Sequence, residues 1–361
     1  MNKLITMLFA MAVFAAAQHD GTGPTGIESK TADQVYKNVI ALKGTPADQL
    51  VPAMQFITAA LGVDCGTCHV QGKPELDDKA AKKTAREMIS MTLAINKNSF
   101  NGRAQVTCYS CHRGSERPVA VPPVLESEAA PHAEARPAAS ANPAPTADDI
   151  IAKYVAAAGG AEAMKKVTSR VMTGKILVAG GSTPIQLFTA APNKRVSITH
   201  NANGDSYTAF DGAAGWMGST GRPAREMSPA ESESAGLDAE FYLPLRIKEI
   251  FTQVRRGRPE EVAGTMCEVL NATRQGRPPV RLYFDQKTGL LARMVRFTET
   301  PIGRNPVQID YADYREADGV KIPFRWTLAR TNGRFTIQID EVKSNTPLDD
   351  TKFAKPAGPV K

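Results

Sequence analysis

Cys65-Gly66-Thr67-Cys68-His69 is repeated in pattern as Cys108-Tyr109-Ser110-Cys111-His112, so that each pair of cysteines is followed directly by a histidine. This is the spacing of a c-type haem attachment site, in which both sulfurs form thioethers with the haem vinyl groups and the histidine binds the iron. For a single copy, a redox-active Cys-x-x-Cys pair or half of a zinc site is the usual alternative. Two copies with the histidine in the same place favour haem. The sequence therefore predicts two covalently bound haem c groups, attached through Cys65, Cys68, Cys108 and Cys111 and ligated by His69 and His112.

An electron-transfer haem usually has a second axial ligand, which methionine or histidine can supply. The remaining histidines are expected to be surface residues near the terminus, in a linker and in a sheet, and they are His19, His132 and His200. Methionines are better placed: Met54 precedes the first motif, and Met88 and Met91 precede the second. A methionine on an apolar helix face is also ordinary core filler. Spacing alone therefore leaves the role of Met54 open and does not separate Met88 from Met91.

The region around the motifs is predicted to be helical. Thr31 is expected to cap a helix over 32–42, and Pro52 to open a second helix that ends at Gly62. A third helix is predicted over 77–98. Its apolar face would consist of Thr84, Met88, Met91 and Ile95.

Composition changes abruptly after Gly114. The stretch from Pro118 to Pro145 is dominated by alanine and proline and has few large apolar residues, so it is expected to act as a partly extended spacer. We therefore divide the chain into a signal peptide (1–17), a dihaem cytochrome c domain (18–116), a linker (117–146) and a β-rich domain (147–361).

The first residues have the order of a secretory signal peptide: a lysine, an apolar stretch from Leu4 to Phe14, and then small residues. Cleavage after Ala17 predicts a periplasmic protein, and an uncleaved segment predicts a membrane-associated one. A length of 361 residues with 42% hydrophobic and 22% charged residues is typical of soluble globular domains. The net charge of +7 comes without a basic run interleaved with aromatics, so nucleic-acid binding has little support.

The C-terminal part alternates in the manner of strands. Strand-like runs at 170–178, 185–190, 280–284 and 335–339 are separated by turn signals at Asn203-Gly204, Lys287–Gly289, Asp318-Gly319 and Asn332-Gly333. Helices are predicted over 146–166 and 237–253. The predicted fold class is α+β multidomain: a small all-α dihaem domain, the linker, and an antiparallel half-barrel-like sheet with one or two helices.

The motifs and their surroundings resemble a known family. The stretches Met54–His69, Ala85–Asn96 and Val106–Gly114 resemble the cytochrome c subunit of photosynthetic reaction centres, over about residues 30–118. The resemblance implies Met54 as sixth ligand of the first haem and Met88 as sixth ligand of the second, with Met91 as a haem-packing residue and the second choice. This chain departs from that family in having two motifs rather than four and in carrying a sheet domain.

The sheet domain is similar in pattern to periplasmic lipoprotein carriers of the outer-membrane sorting type, on the stretches 282–291 and 310–323. That resemblance implies an apolar ligand, such as an acyl chain or a quinone, or equally a docking or spacer role. Cys267 lies in a strand-like run and is expected to be a buried small residue rather than a reactive thiol.

Three functions follow as hypotheses. The first is a non-enzymatic electron carrier that exchanges electrons with periplasmic or membrane redox partner proteins. The second is a dihaem peroxidase-like enzyme, which requires that one iron lack its methionine. The third is a periplasmic lipid- or quinone-binding protein in which the haems are accessory.

Overall fold

The computed structural model describes residues 30–119, 144–178 and 180–360. Within them the chain forms a helical region followed by a helix-backed antiparallel sheet, as the predicted α+β class requires. The signal peptide, His19, His132 and most of the predicted linker lie outside the described residues. The helices of the first region are α1 (Ala32–Val35), α2 (Ala47–Leu61), α3 (Cys65–Cys68), α4 (Ala80–Phe100) and α5 (Cys108–His112).

The predicted first helix is shorter than expected. Thr31 is its N-cap, but the helix ends after one turn at Val35. Asn38 then takes a left-handed conformation, with φ of 58°, and its side-chain amide donates to Asp77 Oδ1 at 3.0 Å. Tyr36 is already extended, with φ of −112° and ψ of 147°, and the left-handed Asn38 follows it, so the helix does not continue to residue 42.

The second helix begins five residues before Pro52, at Ala47. Ala47 is fully buried, and its N–H donates to Lys30 O at 3.0 Å, which ties the start of the helix to the chain before α1. Pro52 thus lies inside α2, where its ring removes the helical bond to the carbonyl four residues earlier.

The buried stripe of α4 differs from the predicted one. Its buried residues are Lys82, Ile89, Thr92 and Asn96, whereas Thr84, Met88 and Met91 are exposed. The prediction was wrong because hydrophobic periodicity ignores buried polar side chains. Lys82 and Asn96 are buried since each bonds to backbone groups of the loops beside it.

The sheet contains fourteen strands among the described residues. They are β1 (Ser169–Val178), β2 (Gly181–Ala190), β3 (Lys194–Asn201), β4 (Gly204–Phe210), β5 (Gly215–Ser219), β6 (Arg225–Glu226), β7 (Gln253–Arg256), β8 (Glu260–Val262), β9 (Thr265–Thr273), β10 (Val280–Asp285), β11 (Leu291–Thr300), β12 (Gly303–Ala317), β13 (Val320–Arg330) and β14 (Gly333–Ser344). The order is β6-β5-β4-β3-β2-β1-β14-β13-β12-β11-β10-β9-β7, with β8 paired to β9. The first and last strands therefore pair in the middle of the sheet.

The helix predicted over 146–166 is divided into α6 (Ala147–Ala157) and α7 (Ala161–Lys166). The helix predicted over 237–253 is shorter, α9 (Leu243–Ile250), and it is preceded by a helix that was not predicted, α8 (Pro229–Ala239). Gly159 and Gly160 separate α6 from α7, both with positive φ, and a side chain at Gly159 would collide with the carbonyl of Gly319. Helices α6, α7 and α9 pack with β9, β10 and β11 around the main core of the domain. Cys267 is fully buried, as predicted.

The β11–β12 hairpin of the sheet domain contacts the helical region. The turn between β11 and β12 places Ile302, which is fully buried, in the core of the helical region beside Leu42, Ala53, Ile57 and Ile89. The helical core is thus completed by a residue of the sheet domain.

Candidate haem-binding sites

The first motif forms a one-turn helix, α3, because Asp64 caps it. The Asp64 carboxylate accepts from the Thr67 N–H at 3.0 Å, which is the usual N-cap arrangement. Cys65 and Cys68 are three positions apart on this turn and therefore lie on one face. The N–H of His69 donates to Cys65 O at 2.9 Å, so the histidine begins where the turn ends.

The His69 ring is oriented by a backbone carbonyl. Its Nδ1 lies 2.9 Å from Pro74 O, and a carbonyl can only accept, so Nδ1 carries the proton in this pair. The other ring nitrogen, Nε2, is then left with its lone pair. This is the tautomer that a metal-ligating histidine uses, with the second nitrogen held by an outer partner.

The second motif repeats this geometry on different residues. In α5 the Thr107 N–H donates to Ser110 Oγ at 3.0 Å, which stabilises the start of the turn. Arg113 ends the helix in a left-handed conformation, with φ of 52°, and turns the chain back. His112 Nδ1 then lies 3.0 Å from Ser115 O. Both histidines thus have the same tautomer and the same kind of partner.

The cysteine environments fit thioether attachment better than thiol redox chemistry. Burial raises the pKa of the Cys68 and Cys108 thiols, and the carboxylate of Glu116 adds to the effect at Cys68. A catalytic Cys-x-x-Cys pair instead needs a lowered thiol pKa. The four cysteines of the motifs are free of disulfides. The donor set at each motif therefore fits a haem c group.

The candidate sixth ligands differ in their surroundings. Met54 is partly buried and packs against the core that also contains Ile57 and Ile302. Met88 is 37% exposed and Met91 is 46% exposed, which is unusual for side chains of this size and apolarity. Exposure therefore marks the Met88–Met91 face of α4 as a surface that can meet a ligand, and it does not separate the two methionines.

The helices that carry these methionines contact both motifs. Near its end α2 packs against α5, where the Gly114 N–H donates to Ala60 O at 2.8 Å. A side chain at Gly62, which has φ of 68°, would collide with the carbonyl of Gly114. Helix α4 in turn contacts both α3 and α5. The two motifs therefore belong to one small helical unit.

Lys82 was missed by the sequence reasoning and lies behind the first motif. Its ammonium donates to Pro74 O at 2.8 Å and to Leu76 O at 2.7 Å, and it pairs with Asp77 at 3.1 Å. Pro74 O is the same carbonyl that His69 uses. Hydrogen bonds from Arg86, Lys82 and Asn38 hold the pKa of Asp77 well below its usual range. A buried cation and the first histidine ring thus donate to the same carbonyl, Pro74 O.

Asn96 plays a comparable structural role near the second motif, and it was also missed. It is 3% exposed; its amide donates to Val106 O at 2.7 Å, and its oxygen accepts from the N–H groups of Gln105 and Val106 at 3.1 and 2.9 Å. These bonds hold the chain that enters α5.

Asn96→Ala is expected to lower the free energy of unfolding by about 1 to 3 kcal/mol, because the N–H and carbonyl of the half-buried Val106 lose their bonds to Asn96, whereas the Gln105 N–H keeps its bond to Arg103 O. Urea unfolding followed by circular dichroism measures this. Asn98→Ala is the matched control, since Asn98 is exposed on the same helix and the same gain in helix propensity applies. Equal stability of the two variants would contradict the assigned role.

His200 lies on β3, away from both motifs in the chain, and its Nδ1 is 3.0 Å from Asp205 Oδ2 in the β3–β4 hairpin. Among the described residues no helix combines the length and the apolar character needed to cross a membrane.

Comparisons with known proteins bear on the helical region first. Residues 11–179 match the family model described as photosynthetic reaction centre cytochrome C subunit. The photosynthetic reaction center cytochrome c subunit of Thermochromatium tepidum is 33% identical over 103 residues, which are 27% of this chain and 24% of that protein. That of Roseobacter denitrificans is 33% identical over 120 residues, 29% of this chain and 32% of that protein. The match thus covers about a quarter to a third of the length of these relatives.

The solved structures resemble the sheet domain. A LolA superfamily protein from Nitrosomonas europaea is 12% identical, with a TM-score of 0.43, and the match covers 59% of this chain and 99% of that one. A domain described as an outer membrane lipoprotein-sorting protein, from Vibrio parahaemolyticus, is 12% identical with a TM-score of 0.41 and covers 57% of this chain and 95% of that one. The resemblance predicted from the helical part of the sequence is confirmed by the family match, since residues 11–179 are similar to the photosynthetic reaction centre cytochrome C subunit.

Proposed function

We propose that this chain carries two covalently bound haem c groups and passes single electrons between redox partner proteins outside the cytoplasm. One observation carries the proposal: in both motifs the histidine directly after Cys-x-x-Cys donates through Nδ1 to a backbone carbonyl. The second ring nitrogen of each histidine is thereby prepared to bind a metal. The family match over residues 11–179 supports the same assignment.

Each residue of the two sites has a defined part. Cys65 and Cys68 would hold the first haem, and Cys108 and Cys111 the second, through thioether bonds. When bound, each haem iron supplies a one-electron couple between its ferric and ferrous states. His69 and His112 would each supply one protein ligand to an iron, and Met54 and Met88 would each supply the second, which would keep other molecules from binding there.

A relay between the two sites is supported by the packing of the helical unit. Because α2 contacts α5 and α4 contacts both attachment turns, the two sites would be neighbours within one domain. The two haems that these residues would hold would therefore supply two one-electron couples within one packed helical unit.

The test is an absorption spectrum of the chain expressed with c-type haem maturation, oxidised and reduced, together with a pyridine haemochrome count. We expect two haems per chain and low-spin spectra in both states. One haem, none, or high-spin iron in the reduced protein would overturn the relay.

The same haem-loaded protein distinguishes a peroxidase-like enzyme from an electron carrier. Peroxide added to the reduced protein should be consumed only slowly if methionine closes both irons. Rapid catalytic turnover with an electron donor would favour the enzyme. Lipid or quinone binding by the sheet domain stays a prediction, which extraction of the purified chain with organic solvent would test.

Lys82 is expected to raise the reduction potential of the first haem. Its positive charge disfavours a ferric iron nearby, and its bond to Pro74 O weakens that carbonyl as an acceptor for His69. Lys82→Met should therefore lower the potential of one haem and leave the other unchanged in a spectroelectrochemical titration. Lys83→Met, at an exposed position on the same helix, is the control. Equal potentials in both variants would refute the effect.

A further inference from the structure

The β11–β12 hairpin makes three contacts with the helix that carries Met54. Ile302, at the tip, is fully buried in the helical core with Ala53 and Ile57. Asn305, which is 6% exposed, donates from Nδ2 to Pro52 O at 3.3 Å. The third contact is between Gly303 and the Phe56 ring, which a Cβ at position 303 would approach to 2.7 Å.

The residues of α2 that the hairpin contacts lie on both sides of Met54 in the sequence. Residues 53, 56 and 57 are three and four positions apart, so they lie on one face of α2, and that face meets the hairpin. Met54 is about 100° around the helix from Ala53. Because the hairpin holds the face of α2 formed by residues 53, 56 and 57, it also sets the direction in which the Met54 side chain leaves the helix.

The hairpin is itself held rigidly by the sheet. Thr300 is 6% exposed, and its hydroxyl donates to Gly303 O at 2.6 Å across the turn. Asn305 Oδ1 accepts from Thr331 Oγ1 at 3.2 Å, which ties it to the end of β13. The turn is thus braced within itself by Thr300 and tied to the end of β13 by Asn305, in addition to its contacts with α2.

We propose that this hairpin is a clamp through which the sheet domain positions the sixth ligand of the first haem, with Ile302 as the positioning residue. The proposal rests on the proposed function, in which Met54 binds that iron. It gives the sheet domain a role in the redox site: a change in the sheet that moves the hairpin changes how firmly Met54 is presented.

The test uses the full chain carrying haem, and imidazole as a probe that competes with methionine for ferric iron. Ile302→Ala should make imidazole bind about tenfold more tightly at one haem, a change of about 1.4 kcal/mol. It should also weaken the methionine-to-iron absorbance while the haem count stays at two. Ile302→Val should keep imidazole affinity and the methionine-to-iron absorbance close to those of the unchanged protein, because valine leaves a much smaller cavity than alanine.

Ile339→Ala is the matched control, since Ile339 is almost fully buried in another core cluster of the sheet domain. If Ile302→Ala and Ile339→Ala bind imidazole with equal affinity, the proposed clamp is wrong. If Ile302→Ala does not accumulate, Asn305→Ala answers the same question without a cavity in the helical core, and a gain of about threefold is expected. No gain in Asn305→Ala would then overturn the proposal.

Met54→Ala in the same assay distinguishes a failure of the clamp from a failure of the assignment of Met54 as an iron ligand. If Met54→Ala opens one haem and Ile302→Ala does not affect it, the ligand assignment stands and the clamp fails. If Met54→Ala itself leaves imidazole binding and the absorbance unchanged, the ligand assignment fails.

Discussion

Replacing Cys65 and Cys68 together with alanine is expected to reduce the covalently bound haem from two groups per chain to one. Both thioether positions of the first motif are then lost, while α5 keeps Cys108, Cys111 and their cap at Thr107. The intact mass of the denatured chain and a pyridine haemochrome count measure the change. The reciprocal replacement of Cys108 and Cys111 should also leave one haem.

Cys267→Ala is the control for this experiment. Cys267 is fully buried in the sheet domain, and its loss should leave both haems attached. Two haems on the Cys65→Ala, Cys68→Ala variant would show that the first motif is not an attachment site, and the proposed relay would fail with it.

Met54→Ala and Met88→Ala are each expected to open one iron without detaching either haem. Each should remove about half of the weak methionine-to-iron absorbance band and convert one haem to a high-spin form. Loss of the methionine ligand also lowers the reduction potential of the affected haem, because a methionine ligand favours the ferrous state of the iron. Absorption spectra and a redox titration measure both effects.

Met91→Ala is the control for the second site, because Met91 is exposed on the same face of α4 as Met88. It should retain both haems in their low-spin forms. If Met91→Ala opens an iron and Met88→Ala does not, then Met91 is the second ligand and the assignment carried by the family resemblance is wrong.

The sequence alone predicted the parts of the fold that local rules determine. Strands at 170–178 and 280–284, and the turns at Asn203-Gly204 and Asp318-Gly319, lie where alternation and turn chemistry put them. The end of α1 and the start of α2 were predicted wrongly, because both positions are occupied by residues that contact distant parts of the chain. The chain leaves α1 at the extended Tyr36, just before Asn38 bonds to Asp77, and α2 begins before its proline, where Ala47 bonds to Lys30.

For the candidate sites, the motifs indicated the chemistry, whereas the supporting shell could not be predicted. Cys-x-x-Cys-His spacing is local, so both attachment turns were visible in the sequence. Lys82 and Asn96 are polar residues in a helical pattern, where periodicity assigns them to solvent. Ile302 contacts residues almost 250 positions earlier in the chain, such as Ala53, and no spacing rule reaches that far.

The hairpin contact has a consequence for the order in which this protein matures. During synthesis the N-terminal part of a chain emerges first. Both attachment turns are therefore complete long before Ile302 is made, and in that interval α2 lacks a fully buried member of its core. Under the proposed function, haem would be attached to a helical unit that still lacks Ile302, and the β11–β12 turn would pack against the Met54 helix afterwards.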